Sequence, residues 1–210
     1  MSSKRSAALG LLLAVTFGAT AQQPIPPPVL KPFADNQQWM LVENLVYVLG
    51  QTRVSITVPK GFVTDFASIP QPFWSFGLSP SGRYSRAAII HDYLYWTQVC
   101  TRLEADNILV IAMKESMVPE STRNTIYRGV RLGGGSAWDG NATARARGLP
   151  RVIPPDSMAF GPLELWQDYQ ARLREAGATD PVTTQDPRYC ALGATAEVPL
   201  ADDPASGAGR

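Results

Sequence analysis

Histidine is almost missing from this chain. One imidazole, His91, stands in 210 residues. Any reaction that needs a side chain trading protons near neutral pH therefore has one place to happen. Cysteine is nearly as scarce, with only Cys100 and Cys190. A zinc centre would have to be completed by carboxylates or by those two thiols, which disfavours a metallopeptidase. Charge of one sign is lacking too: 19 basic residues face 18 acidic ones. A balanced surface offers no electrostatic footprint for nucleic acid and no polybasic attraction to anionic lipid. Ser68 lacks the Gly-x-Ser-x-Gly elbow, so a serine hydrolase is poorly supported. No apolar run beyond the first 21 residues nears the length of a membrane-spanning helix, so the mature chain is expected to have no transmembrane segment.

What is present begins with a leader. Lys4 and Arg5 precede an apolar stretch from Ala7 to Thr20, and Ala19-Thr20-Ala21 has the small-x-small form of a cleavage site. Residues 1–21 are expected to be a secretory signal peptide, which places the protein in the periplasm or outside the cell. Without Lys4 and Arg5 the balance is 17 basic to 18 acidic residues. Residues 22–32 carry Pro24, Pro26, Pro27, Pro28 and Pro32 and read as an extended leader. An oxidising compartment permits a Cys100–Cys190 disulfide, tying the C-terminal tail to the loop after the His91 segment. Two unpaired thiols are an equal alternative, because sequence does not place their Cα atoms.

The fold class expected is α+β, with an N-terminal β-hairpin or small sheet packed on an antiparallel helical core. Trp39–Val42 and Leu45–Leu49 read as strands, Gly50-Gln51-Thr52 as a turn, and Arg53–Val58 as an alternating strand with one wet face. An irregular stretch follows, where Pro70, Pro72 and Pro80 with Gly77 and Gly82 forbid a long helix. Helices are expected at about Arg83–Trp96, at Leu103–Met117, and after Pro119 with Ser121 as N-cap, the last stopping at Gly133-Gly134-Gly135. A further helix is expected near Pro162–Ala176, with Gly177 past its end. The domain organisation expected is one globular domain over 33–140, then an extension over 141–210 holding one helix and a disordered tail.

The candidate chemistry lies on two helix faces. Asp106, Leu109, Val110, Met113 and Met117 share one helical stripe, so a carboxylate sits on an apolar face. An ionised group there is costly unless paired. Ala87, His91, Leu94 and Tyr95 share a face of the preceding helix. The link is short, which favours antiparallel neighbours. His91 lies six residues before Thr97 and Asp106 four after Arg102, so their heights differ by roughly 3 Å at 1.5 Å per residue. The two can meet, and Tyr95, one turn on, can donate to the same carboxylate. Asp106 would then hold the imidazole tautomer while the other ring nitrogen takes a proton. Asp92 points about 100° from His91 and could hold a cation, with Asp65 as a further carboxylate ligand. A core network that merely fixes helix register uses the same residues.

Several strings resemble a bacterial and phage domain of unknown function, family number 1353. They are Phe62-Val63-Thr64-Asp65-Phe66-Ala67-Ser68-Ile69-Pro70, Gly82-Arg83-Tyr84, His91-Asp92-Tyr93-Leu94-Tyr95, Glu104-Ala105-Asp106, Val130-Arg131-Leu132-Gly133 and Trp138. The resemblance covers about residues 33–140 and implies a domain and a site, with Thr64, Ser68 and Arg83 as further motif residues, but no reaction. His91-Asp92-x-Leu94-Tyr95 with Ala105-Asp106 is also similar to the His-Asp-x-Cys-Tyr and Asp pair of secreted phospholipases A2. That resemblance implies His91 as base, Asp92 as calcium ligand, Asp106 as support and Tyr95 as its hydrogen-bond donor. Ile89 and Ile90 replace the paired cysteines and Leu94 the cysteine of the motif. Thr64 to Ser68 stand where backbone carbonyls could serve instead of a calcium loop.

The leading expectation is an exported hydrolase, a metal-assisted esterase of phospholipase type acting on a lipid or cell-envelope substrate. The alternative is a non-catalytic envelope or phage-related module with a buried His-Asp-Tyr network. A peptidoglycan hydrolase is third.

Overall fold

A computed structural model describes residues 27–66, 84–181 and 188–201. The expected signal peptide, Ser68 and Arg83 lie outside the described residues. The order of elements is β1 (Leu30–Pro32), β2 (Trp39–Leu41), β3 (Leu45–Val48), β4 (Ser55–Val58), β5 (Val63–Thr64), α1 (Ser85–Thr97), α2 (Arg102–Glu115), α3 (Glu120–Ala146), a short 3-10 turn at Pro155–Ser157, α4 (Trp166–Glu175) and α5 (Arg188–Leu192). Small antiparallel sheets against a helical core make this an α+β fold, as the patterning predicts.

The β3–β4 hairpin pairs Leu45 with Val58 and Tyr47 with Ile56. Those four side chains are buried, while Val46 and Val48 face outward. Period-2 alternation in the sequence becomes one dry and one wet face. A second sheet runs in the order β1-β2-β5. Here the leader expectation needs correction. Leu30–Pro32 pairs with β2 in antiparallel register. Pro32 can take part because it sits on an edge strand, where a missing donor costs little.

α1 is the central helix. Eleven of its residues, from Ser85 to Trp96, are buried, and it contacts α2, α3, β4 and β5. A helix apolar all round is buried on every side. Ile89, Ile90 and Leu94 are fully enclosed, each contributing about 1.5–3 kcal/mol relative to exposure. α2 opens with a capping box: Thr101 Oγ1 accepts from Glu104 N, and Glu104 Oε2 accepts from Thr101 N. This reciprocal bond satisfies two orphan donors and sets where α2 begins, hence which face Asp106 occupies.

Three helix expectations need revision. α3 does not stop at the glycine run; it continues to Ala146. Packing of its inner face against α1 and α2 outweighs the helix cost of about 1 kcal/mol per glycine. Its N-cap position is Pro119, with no side-chain cap from Ser121. α4 begins at Trp166, four residues after Pro162, while Gly177 takes the expected left-handed conformation at φ +77°.

Residues beyond 140 are built into the same body. Val152 bridges Phe62, and Val63 N donates to Arg151 O at 3.0 Å. Ile153, Phe160, Trp166 and Leu173 join Phe33, Met40 and Val63 in a second apolar cluster. Cys100 and Cys190 form a disulfide, which resolves the open alternative and pins α5 to the α1–α2 loop. A bridge closing so long a loop is typically worth about 2–4 kcal/mol. Asn107 Nδ2 donates to Gly193 O at 2.9 Å, and Gln51 N to Pro199 O at 3.0 Å. The described part of the expected tail is therefore a strap over α2 and the hairpin turn. A Cβ at Gly50 would lie 2.1 Å from Pro199 O, so the turn requires glycine there.

Candidate functional site

α1 and α2 bring together the groups expected on their facing stripes. His91 Nε2 lies 2.8 Å from Asp106 Oδ1, and Tyr95 donates its hydroxyl to the same oxygen at 2.7 Å. His91 is 2% exposed and Asp106 0%. The His91 and Tyr95 rings are 4.1 Å apart between centroids, and Trp138 meets Tyr95 edge-on at 5.1 Å. The imidazole is thus packed against a tilted ring as well as held by its hydrogen bond.

Sequence reasoning missed the other half of this network. Arg131, from α3, donates Nη1 to Asp106 Oδ2 at 2.6 Å. Arg102, one turn before Asp106 on α2, stands 3.7 Å from the same oxygen. Arg131 stands in the Val130-Arg131-Leu132-Gly133 string, but no local spacing joins it to Asp106, 25 residues earlier. Burial pushes the Asp106 carboxyl up, but hydrogen bonds from His91, Tyr95 and Arg131 outweigh it and hold the group below the ordinary carboxylate range. Burial and the bond to Asp106 push the Tyr95 phenol up, so Tyr95 stays a donor.

An ionised Asp106 can only accept, so the proton of His91 sits on Nε2. The other ring nitrogen, Nδ1, takes no part in that bond. It is buried and has no hydrogen-bond partner among the described residues. Buried polar atoms are nearly always paired, so an orphan nitrogen calls for a reason.

Asp92, the next residue, is also buried. Thr64 Oγ1 donates to Asp92 Oδ2 at 2.5 Å, and Asp65 N donates to it at 3.1 Å. Thr64, Asp65 and Asp92 are therefore brought together by β5 docking on α1. Burial first, and then the neighbouring Asp65 carboxylate, push the Asp92 carboxyl well above its ordinary value. Arg151, also missed in the sequence, stands 3.7 Å from Asp65 and donates Nε to Val63 O at 2.8 Å. Phe66 adopts φ +58°, unusual for a bulky residue, and donates its N–H to Thr64 Oγ1 at 3.1 Å. The chain is bent sharply just where it meets Asp92.

Carboxylate oxygens are the donors a hard cation such as calcium takes; here Asp92 is buried and Asp65 is 29% exposed. Among the described residues, Cys100, Glu104 and Cys190 also cluster, but both sulfurs are committed to the disulfide and the glutamate to the capping box.

A carboxyl whose proton affinity is raised by folding favours the native state while protonated. Its contribution is lost as pH rises from the ordinary carboxylate range through the raised value. Asp92→Asn is therefore expected to raise Tm at neutral pH without divalent cations. Added calcium should raise the Tm of the wild type and leave the Asn variant unmoved. Thermal unfolding with and without a chelator checks both.

Gly134 alone of the glycine run accounts for the approach of α3 to Tyr95. A Cβ at Gly134 would lie 2.5 Å from Tyr95 Oη. Gly134→Ala gains up to about 1 kcal/mol of helix propensity but overpacks a ring wedged between His91 and Trp138, typically costing about 1–3 kcal/mol. The expected outcome is a net lower Tm, relieved when Tyr95 is also changed to Phe; a double-mutant cycle by denaturation measures the coupling.

Residues 39–130 match the family model described as "Protein of unknown function (DUF1353)". The match spans β2 to the middle of α3 and contains Thr64, Asp65, His91, Asp92, Tyr95 and Asp106. The chain is also similar to "Uncharacterized protein y4jT" of Sinorhizobium fredii (strain NBRC 101917 / NGR234), 34% identical over 86 residues, or 40% of this chain and 20% of that protein. The chain thus spans about a fifth of the length of that relative. No solved structure matches. Among the described residues, no helix is long and apolar enough to cross a membrane.

Proposed function

We propose that this protein is an exported hydrolase in which His91 Nδ1 activates water against an ester of a lipid or cell-envelope substrate. The observation that carries this reading is the orphan Nδ1, left bare while Nε2 is anchored to Asp106. The chemistry follows from that polarity. Nδ1 takes a proton from water as the water oxygen attacks the ester carbonyl carbon. The imidazolium that forms is stabilised by Asp106, whose carboxylate is already oriented by Tyr95 and Arg131. The tetrahedral intermediate collapses with cleavage of the bond to the leaving oxygen, and Nδ1–H returns the proton to that oxygen. Asp92 and Asp65 would hold a calcium ion, which supplies polarisation of the carbonyl when bound. The resemblance of His91-Asp92-x-Leu94-Tyr95 to the phospholipase A2 motif supports the same assignment.

A second reading rests on one observation, the 2% exposure of His91. A sealed ring suits a non-catalytic envelope or phage-related module whose His91-Asp106-Tyr95-Arg131 network fixes three helices in register. The two readings differ in whether small molecules reach Nδ1. Purified protein should turn over phospholipid vesicles or a simple ester, with calcium and not with chelator. The sole histidine should react with diethyl pyrocarbonate in the folded state. No turnover on phospholipid, simple ester or peptidoglycan, together with an unreactive His91, overturns the hydrolase reading in favour of the structural one.

A further inference from the structure

We infer that Arg131 is a positioning residue of the site: by gripping Asp106 Oδ2 from α3, it locks the carboxylate so that Oδ1 alone faces His91 and Tyr95. The catalytic consequence rests on the hydrolase reading; the positioning itself does not.

Asp106 Oδ1 carries two contacts, from His91 Nε2 and from Tyr95. Two contacts on one oxygen do not fix the carboxylate plane, because rotation about its last bond exchanges the two oxygens. A short charge-assisted bond on Oδ2 removes that freedom. Arg131 Nη1 supplies it at 2.6 Å, whereas Arg102 is too far from Oδ2, at 3.7 Å, to do so alone.

Arg102 has a different job. Its Nη1 donates to the carbonyls of Val130 and Arg131 at 3.3 and 3.4 Å. The start of α2 therefore holds the backbone of α3 at the residue that clamps Asp106. Gly134 completes the arrangement by letting α3 lie against Tyr95 Oη. Three helices thus converge on one carboxylate, and the third contributes the group that orients it. Arg131 stands in the Val130-Arg131-Leu132-Gly133 string, one residue past the segment that matches the family model.

Because His91 is the only histidine, histidine-selective 15N labelling yields signals from one ring. In the wild type the Nε2 proton should give a single downfield resonance slow to exchange with water. In Arg131→Gln that proton is expected to exchange at least about 10-fold faster, and the ring signals to broaden or double. The kcat for ester hydrolysis should fall about 10- to 100-fold, since small misplacements of a catalytic group cost that much, while KM changes less than about 2-fold. Arg131→Lys, which keeps the charge but not the fork, should recover part of both losses. Its side chain is about one-third exposed, so both variants are expected to fold; circular dichroism checks this, and if Gln does not fold, the Lys variant carries the comparison. A wild-type Nε2 proton signal and wild-type kcat in a folded Arg131→Gln overturn the inference. If the wild type hydrolyses nothing, the hydrolase reading fails, while the exchange of the Nε2 proton still decides whether Arg131 positions Asp106.

Discussion

His91→Gln is expected to lower ester hydrolysis by at least about 10²–10⁴-fold while leaving the fold intact. Glutamine keeps roughly the reach of the ring, and its amide can still donate to Asp106 Oδ1. What it lacks is a basic nitrogen that takes a proton from water and returns it to the leaving group. The effect should fall on kcat, because the lost interaction forms only as charge develops in the transition state. Chelation should lower the melting temperature of calcium-treated wild type and of calcium-treated His91→Gln alike, and leave Asp92→Asn unmoved, since only the last lacks the carboxylate pair. A His91→Gln variant with full activity would remove the imidazole from any mechanism, since the chain holds no other.

Asp106→Leu is expected to destabilise the protein by about 2–4 kcal/mol, although leucine suits an apolar stripe better than aspartate does. The substitution strands the Nε2–H of His91 and the hydroxyl of Tyr95, both buried, and each donor left without an acceptor costs about 1–3 kcal/mol. Arg131 is partly exposed and can turn to water, so its loss of partner weighs less. The gain from burying leucine offsets part of the total. Chemical denaturation measures the difference; a neutral or stabilising result would mean that the network is not a satisfied unit.

The pH dependence has a definite sign. Asp106 is held below its unfolded-state value. Its contribution is therefore present above the ordinary carboxylate range, about pH 4, and is lost as pH falls through the depressed folded value. Wild type should lose stability more steeply in acid than Asp106→Asn, and urea midpoints across that range would show it.

The dyad was legible because it depends on local geometry. His91 and Asp106 lie on adjacent helices joined by a short loop, and helical rise and stripe pattern alone set their relative height. The hairpin was legible for the same reason: alternation over Leu45–Val48 and Ser55–Val58 admits one arrangement with the apolar side inward. Proximity of Thr64 and Asp65 to Asp92 does not follow from local geometry, since it joins a strand to a helix 27 residues away.

What lay beyond local reading was whatever packing against a distant partner decides. Gly133 to Gly135 weaken a helix in isolation, so propensity alone ends α3 there. The surface of α1 and α2 keeps it helical to Ala146, and that continuity lays Gly134 and Trp138 against Tyr95. The same holds for the strand at Leu30–Pro32, which forms because β2 offers an unpaired edge, and for the Cys100–Cys190 bridge, which needs two Cα atoms brought to 5.2 Å across 90 residues. Sequence by itself determined the α+β class, the dry face of the hairpin and the meeting of His91 with Asp106, because each follows from a period and a short loop. Tertiary structure alone decided that Arg131 and Arg151 join the two carboxylate clusters and that Nδ1 of His91 has no partner among the described residues. Those outcomes depend on side chains far apart in the chain, whose approach is set by the closing of the core.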